Sequence, residues 1–261
     1  MGAASVRLEK DERGVATLGL ARADKHNALS AAMITELGDF AAALAADAAT
    51  RVVVLTGAGT SFCAGGDLGW MREQFSASRE RRMAEAGRLA GMLRALNELP
   101  QPLIGRVQGQ AFGGGVGLMS VCDVVVAVDS ARFGLTETRL GLIPATISPY
   151  VVARMGEGMA RRVFMSARLF SAEEARALGL VARVVTADAL DEAVEQEIKP
   201  YLAAAPGAVA AAKALARALG PRIDDAVIDD TIRRLADAWE QPEAREGVAA
   251  FFEKRKPNWA R

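Results

Sequence analysis

The stretch GQAFGGGVGLMSVCDVVVAVDSARFGLTE, residues 109–137, decides how the rest of the chain is read. Pro100 and Pro102 release an apolar run just ahead of it, LIGRV at residues 103–107, which reads as a strand. The run leads into Gly113-Gly114-Gly115, a short apolar segment, a hydrophobic strand, and a further strand ending near Glu137. A strand that turns through glycines into a helix leaves backbone N–H groups unpaired at the helix start. The helix dipole points the same way, so such a turn favours negative charge. It equally suits a tight turn that needs glycine for backbone freedom. The rest of the chain has to decide.

Composition narrows the field. At 261 residues the chain is long enough for one large domain or a domain with an appendage. Lysine plus arginine and aspartate plus glutamate both count 32, so the formal net charge is zero and no global basic field gathers nucleic acid or anionic lipid. Two cysteines, Cys63 and Cys122, are too few for a disulfide framework and fit a reducing compartment. With one histidine, His26, and no paired ligand spacing, no metal site is expected. The N-terminal residues lack an apolar core of signal-peptide length, and no apolar run reaches the ~20 residues of a membrane span. A soluble, cytoplasmic protein is the expectation.

Along the chain, residues 15–20 and 51–56 read as strands, and Met33, Leu37, Phe40, Ala41 and Leu44 recur at helical spacing over residues 30–46. A second amphipathic helix starts at Arg79 and stops before Pro100, while residues 70–78 between read as irregular. Ser171 and Glu174 match a capping box, with Gly179 as the helix stop and LVARVV as the following strand. From Ala189 alanine-rich helical segments follow, with breaks expected at Pro200, Pro206, Gly220-Pro221 and Pro242. The expected division is an α/β body, residues 1–195, and a helical region, residues 196–261, too thin to bury its apolar faces alone.

Two glycine turns each follow an apolar strand, one over residues 57–66 and one over residues 109–117. Neither carries a dinucleotide fingerprint or a P-loop ending. Two convergent backbone donors without phosphate machinery suggest an oxyanion hole; two unrelated structural turns are the alternative. A Ser–His–Asp hydrolase would need His26 as its base, and no G-x-S-x-G elbow is present. Glu137 follows Phe133-Gly134-Leu135-Thr136, and burial in that apolar setting would raise its pKa toward that of a proton shuttle.

Together these stretches resemble the crotonase (enoyl-CoA hydratase/isomerase) superfamily. The resemblance rests on SFCAGGDL (61–68), GQAFGGGVGL (109–118), CDVVVA (122–127), ARFGLTETRLGLIP (131–144) and FFEKRKPNW (251–259), in the family's order and over nearly the whole chain. It implies a spiral of ββα turns with a C-terminal helical trimerisation region, and a homotrimer or homohexamer. It implies Gly66 and Gly114 as the two oxyanion N–H donors for an acyl-CoA thioester, and Glu137 as the catalytic carboxylate. Lys25, Ala28, Ala64, Asp67 and Leu68 match positions lining the CoA channel. Phe251 and Lys254 match tail residues that reach CoA on a neighbouring subunit. Coenzyme A enters as part of the substrate and no separate cofactor is implied.

Two departures matter. Family hydratases carry a first glutamate three residues after the middle glycine, and here that position is Gly117. Residues 143–156, IPATISPYVVARMG, replace a glycine-rich stretch and look more like the bacterial branch of methylglutaconyl-CoA and carboxygeranoyl-CoA hydratases. The expectation is a hydratase adding water to a 2-enoyl-CoA with a branched or carboxylated acyl chain. The alternative is a Δ3-Δ2-enoyl-CoA isomerase using Glu137 as its single base, or another acyl-CoA reaction of the superfamily. Some relatives bind RNA through lysine-rich helices, which the zero net charge and scattered basic residues argue against.

Overall fold

Apolar β-rich runs and glycine turns alternate with helices, and each alternation becomes one turn of a spiral. In the computed structural model, which describes residues 4–260, β1 (Val6–Lys10) pairs antiparallel with β2 (Val15–Leu20), Val6 opposite Leu20. Helix α1 (Ala31–Ala46) follows, capped by Ser30 Oγ, which accepts from Met33 N at 3.3 Å. It buries Met33, Leu37, Ala41 and Leu44, the stripe the spacing predicts, while Phe40 is only partly covered. Then come β3 (Val52–Gly57), β4 (Ser61–Cys63), α2 (Leu68–Ser76), α3 (Arg79–Asn97), β5 (Leu103–Val107), β6 (Gln110–Phe112) and α4 (Gly114–Ser120). The body continues with β7 (Val124–Val128), β8 (Arg132–Gly134), a 3-10 turn Glu137–Leu140, α5 (Ser148–Met155), α6 (Glu157–Phe164), β9 (Phe170–Ser171), α7 (Ala172–Ala177) and β10 (Arg183–Val185).

Two sheets result. The larger has six strands in the order β1-β2-β3-β5-β7-β10, parallel apart from the β1–β2 pair. The smaller runs β4-β6-β8-β9, so successive turns of the chain add one strand to each sheet. A parallel sheet is covered on both faces, which is why β3, β5 and β7 are near-continuous aliphatic runs rather than alternating ones. Val53, Leu55, Ile104, Val125 and Ala127 lie in one core with α1, Leu93 and Leu96 of α3, and Leu118 and Met119 of α4.

The structure corrects three local readings. Residues 70–78, expected to be irregular, lie largely in α2, because Asp67 Oδ1 accepts from Gly69 N at 2.8 Å and Trp70 N at 3.3 Å and so starts a helix. Ser171 caps α7 through Glu174 N at 3.2 Å, but the Glu174 carboxylate turns to Arg168 (2.9 and 2.5 Å), so the reciprocal half of the capping box is not made. Pro200 does not break the chain: α8 (Leu190–Ala203) runs through it, because in a final turn a proline leaves only one carbonyl without its partner. Residue 195 lies within this helix.

Helices α9 (Pro206–Leu219), α10 (Asp225–Glu240) and α11 (Pro242–Phe252) end where Pro206, Gly220-Pro221 and Pro242 separate them. All three are fastened to their own chain. Lys213 of α9 donates to Asp123 Oδ2 at 2.7 Å and to the Gln101 carbonyl at 3.0 Å, and Asp123 Oδ2 also accepts Leu103 N at 2.7 Å. Ile232 of α10 packs on Ala86 and Ala90 of α3. Trp239 of α10 with Ala244 and Val248 of α11 covers Leu140 and Leu142, at the end of the turn that carries Glu137. Among the described residues no single helix is long and apolar enough to cross a membrane.

Candidate active site

Parallel pairing of β4 with β6, Ser61 opposite Gln110 and Cys63 opposite Ala111, sets the two glycine turns side by side. The approach is close enough that a Cβ on Gly115 would overlap the Cys63 carbonyl, and one on Gly65 would stand 3.9 Å from Gly114 N. Gly113 makes the turn at φ +48°, a conformation that side chains rarely adopt. Leu29 clasps the first turn: its N–H donates to the Gly65 carbonyl at 2.7 Å and its carbonyl accepts Asp67 N at 2.9 Å. Its side chain then reaches the second turn, where Leu29 Cδ1 lies 2.7 Å from the Cβ position on Gly114. Between these anchors the N–H groups of Gly66 and Gly114 donate to no acceptor among the described residues. Gly114 is the first residue of α4, where a backbone donor is orphaned by helix geometry.

Glu137 comes to the same place from β8. Gly113 N donates to the Gly134 carbonyl at 2.9 Å, which ties the two segments together. Glu137 Oε1 lies 2.8 Å from the Cβ position on Gly113, so only glycine leaves room for the carboxylate there. The residue as a whole is half-buried, yet Oε2 is enclosed and has no hydrogen-bond partner among the described residues. Burial lifts this carboxyl from its ordinary 4.5 to about 7, and a backbone hydrogen bond offsets only part of that. An acid that titrates near neutrality can both take and return a proton.

Gly117, three residues after Gly114 in α4, has no side chain, and the space beside it is filled. A Cβ there would overlap Ile147 Cγ2, lie 3.0 Å from Ile147 Cβ and 3.8 Å from Leu93 Cδ2. Ile147 is buried in the main core. The position is therefore both without a carboxylate and apolar.

The channel-lining candidates gather around one loop. His26 and Asn27 both adopt left-handed backbone, and the fully buried Asn27 amide donates to the Ala58 and Ser61 carbonyls at 2.8 Å. This fixes Lys25, exposed at the end of a 3-10 turn, and the buried Ala28 against Ala64, whose N–H meets the His26 carbonyl at 2.9 Å. Arg22 joins the Ala28 carbonyl and Asp67 Oδ2, each at 2.8 Å. Burial alone would raise the Asp67 carboxyl; Arg22 and the Trp70 and Gly69 N–H groups outweigh it and hold it below the usual range. Leu68, 54% exposed, projects from the first turn of α2. Phe251 and Lys254 sit at the end of α11, both exposed and without a hydrogen bond to this loop among the described residues. Their neighbour Phe252 lies under the Arg72 guanidinium of α2 at 4.8 Å, so the tail approaches the site of its own chain.

Gly66, Gly114 and Glu137, the positions the family resemblance implied, come together in the fold, with Trp70 and Met71 beside them. Both flank Gly66, at 3.7 and 3.5 Å from its Cβ position. Ile147 was missed; its signal was the departure at residues 143–156, whose contact with Gly117 no periodicity reveals. Among the described residues no group of three or more His, Cys, Asp or Glu could hold a metal ion.

Comparison with known proteins finds relatives over nearly the whole chain. Residues 10–261 match the family model described as "Enoyl-CoA hydratase/isomerase". A crotonyl-CoA hydratase from Syntrophomonas wolfei is 33% identical over 261 residues, covering 98% of this chain and 97% of that protein. Human mitochondrial methylglutaconyl-CoA hydratase is 32% identical over 260 residues, covering 97% of this chain and 75% of that protein. A crystal structure of an enoyl-CoA hydratase from Mycobacterium avium matches with a TM-score of 0.85 at 31% identity over 100% of both chains. The mixed α/β spiral expected from the motifs is the architecture the chain adopts.

Proposed function

The chain belongs to the enoyl-CoA hydratase/isomerase family, and from that premise we propose that it adds water reversibly to a 2-enoyl-CoA through Glu137. The observation that carries this is the enclosed, unpartnered Oε2 of Glu137 beside the turn that presents the free Gly114 N–H. The thioester oxygen sits between the Gly66 and Gly114 N–H groups. Loss of one such donor costs on the order of 3 kcal/mol in barrier. Ionised Glu137 takes a proton from water as the water oxygen bonds to Cβ, and the electron pair of the double bond moves onto the thioester oxygen as an enolate. Protonated Glu137 then gives that proton to Cα. One carboxylate so completes the addition, and the water supplies both the hydroxyl and the hydrogen.

A second reading has its own observation. Ile147 and Leu93 fill the space beside Gly117 with apolar atoms, where a second water-holding carboxylate would stand. That favours a double-bond isomerase, in which Glu137 takes the C2 proton of a 3-enoyl-CoA, leaving a dienolate with its charge on the thioester oxygen, and returns the same proton at C4 to give the 2-enoyl-CoA. Offering 2-enoyl-CoA and 3-enoyl-CoA separately, with product identification, decides between them. Formation of 3-hydroxyacyl-CoA from the 2-enoyl thioester supports hydration. Conversion of the 3-enoyl thioester alone, to 2-enoyl-CoA, replaces it with isomerisation.

Helix α9 buries no residue and leaves Leu215 and Leu219 60% and 80% exposed, which supports assembly into a homotrimer or a pair of trimers. Two free cysteines, Cys63 and Cys122, support a cytoplasmic setting.

A further inference from the structure

Glu85 is a buried carboxylate that the proposed reaction does not use. It lies on α3 with its side chain 4% exposed. Its Oε1 is 3.4 Å from Arg81 Nε and 3.7 Å from Arg88 Nη1, two side chains that reach in from solvent. Its Oε2 accepts the indole N–H of Trp70 at 3.4 Å. That indole is not remote from the chemistry: Trp70 Cε3 stands 3.7 Å, and Met71 Cγ 3.5 Å, from the Cβ position on the oxyanion glycine Gly66. An indole in an apolar setting needs an acceptor for its N–H, and a fixed acceptor fixes the ring.

The side chains nearest the neighbouring glycines are apolar core residues. Leu29 lies against Gly114, and Ile147 and Leu93 lie beside Gly117. Four arginines of α2 and α3 are engaged elsewhere. Arg72 stacks on Phe252 and Arg82 on Trp239, while Arg81 and Arg88 serve Glu85.

Resting on the acyl-CoA reading above, we propose that Trp70, positioned by Glu85, is the wall that selects the acyl chain, and that this chain is short, apolar and uncharged. Glu85 is a positioning residue, acting through the indole. The selection departs from the carboxylated chain that the branch resemblance implies.

The test measures affinity by calorimetry with butanoyl-, decanoyl- and glutaryl-CoA, which bind without turnover. The wild type is expected to bind butanoyl-CoA tightest, with decanoyl- and glutaryl-CoA at least ~10-fold weaker, the scale of two methylenes misplaced. Trp70→Ala opens the wall and raises decanoyl-CoA to or above butanoyl-CoA. Trp70→Phe and Glu85→Leu, which break the indole contact from either side, move the order the same way. Glu85→Gln keeps an acceptor and restores the wild-type order. Equal binding of the three ligands by the wild type overturns the proposal. So does a parallel loss for all ligands in the variants, which is what a merely structural pair gives. Failure of the wild type to bind any acyl-CoA overturns the family-based reading itself, and this proposal with it.

Discussion

Ile147 occupies the space that any side chain at residue 117 would need: a Cβ on Gly117 would overlap its Cγ2 and come within 3.0 Å of its Cβ. The two residues are a matched pair in the packing, and the pairing is measurable. Gly117→Ala alone overpacks the contact and is expected to cost ~1–3 kcal/mol, despite the better helix propensity of alanine. Ile147→Ala alone leaves a cavity and costs ~2–5 kcal/mol. The double variant should cost less than the sum by at least ~1 kcal/mol, read from urea unfolding. Strict additivity would show that the two side chains do not compete for one space.

Asp67 does two jobs at the start of α2. It caps the helix through Gly69 N and Trp70 N, and it pairs with Arg22 at 2.8 Å. Asp67→Asn keeps the cap and loses the ion pair, whereas Asp67→Ala loses both. The alanine variant should lose ~1 kcal/mol of stability and raise KM for the acyl-CoA several-fold, with the asparagine variant between it and the wild type. Equal KM values for all three proteins would remove α2 from the binding account.

The raised pKa of Glu137 makes a stability prediction with a definite sign. The carboxyl ordinarily titrates at 4.5, and burial lifts it to about 7 in the folded chain. Between those values the folded chain holds a proton that the unfolded chain has released. This group therefore favours folding most at low pH, and the benefit is lost as pH rises through about 7. Glu137→Gln, which carries no charge, should melt a few degrees above the wild type at pH ~8.5, and the gap should close toward pH ~5. A gap independent of pH would mean that Glu137 is well solvated after all.

The parts of this account that the sequence made legible are those with local signatures. Glycine-rich turns after apolar runs marked residues 57–66 and 109–117, because a backbone that turns tightly next to another backbone has few alternatives to glycine, and the family resemblance singled out Gly66 and Gly114 within them. The apolar run before Glu137 pointed to its burial. What was not legible depends on contacts between distant segments. Glu85 carries no local signature, since nothing in residues 79–97 tells that the Trp70 indole reaches it. Helix α2 was hidden because its start rests on the side chain of Asp67, an anchor outside the apolar pattern. The close approach of Ile147 to Gly117 spans thirty positions and belongs to tertiary packing alone.

The central claim is that a single carboxylate, Glu137, moves the proton. Its most direct test is turnover of a 2-enoyl-CoA by Glu137→Gln across pH. The account predicts a wild-type rate that rises with pH through a midpoint of about 7, and a variant at least ~100-fold slower with no such midpoint. Near-wild-type turnover in the variant, with the same pH profile, would contradict it.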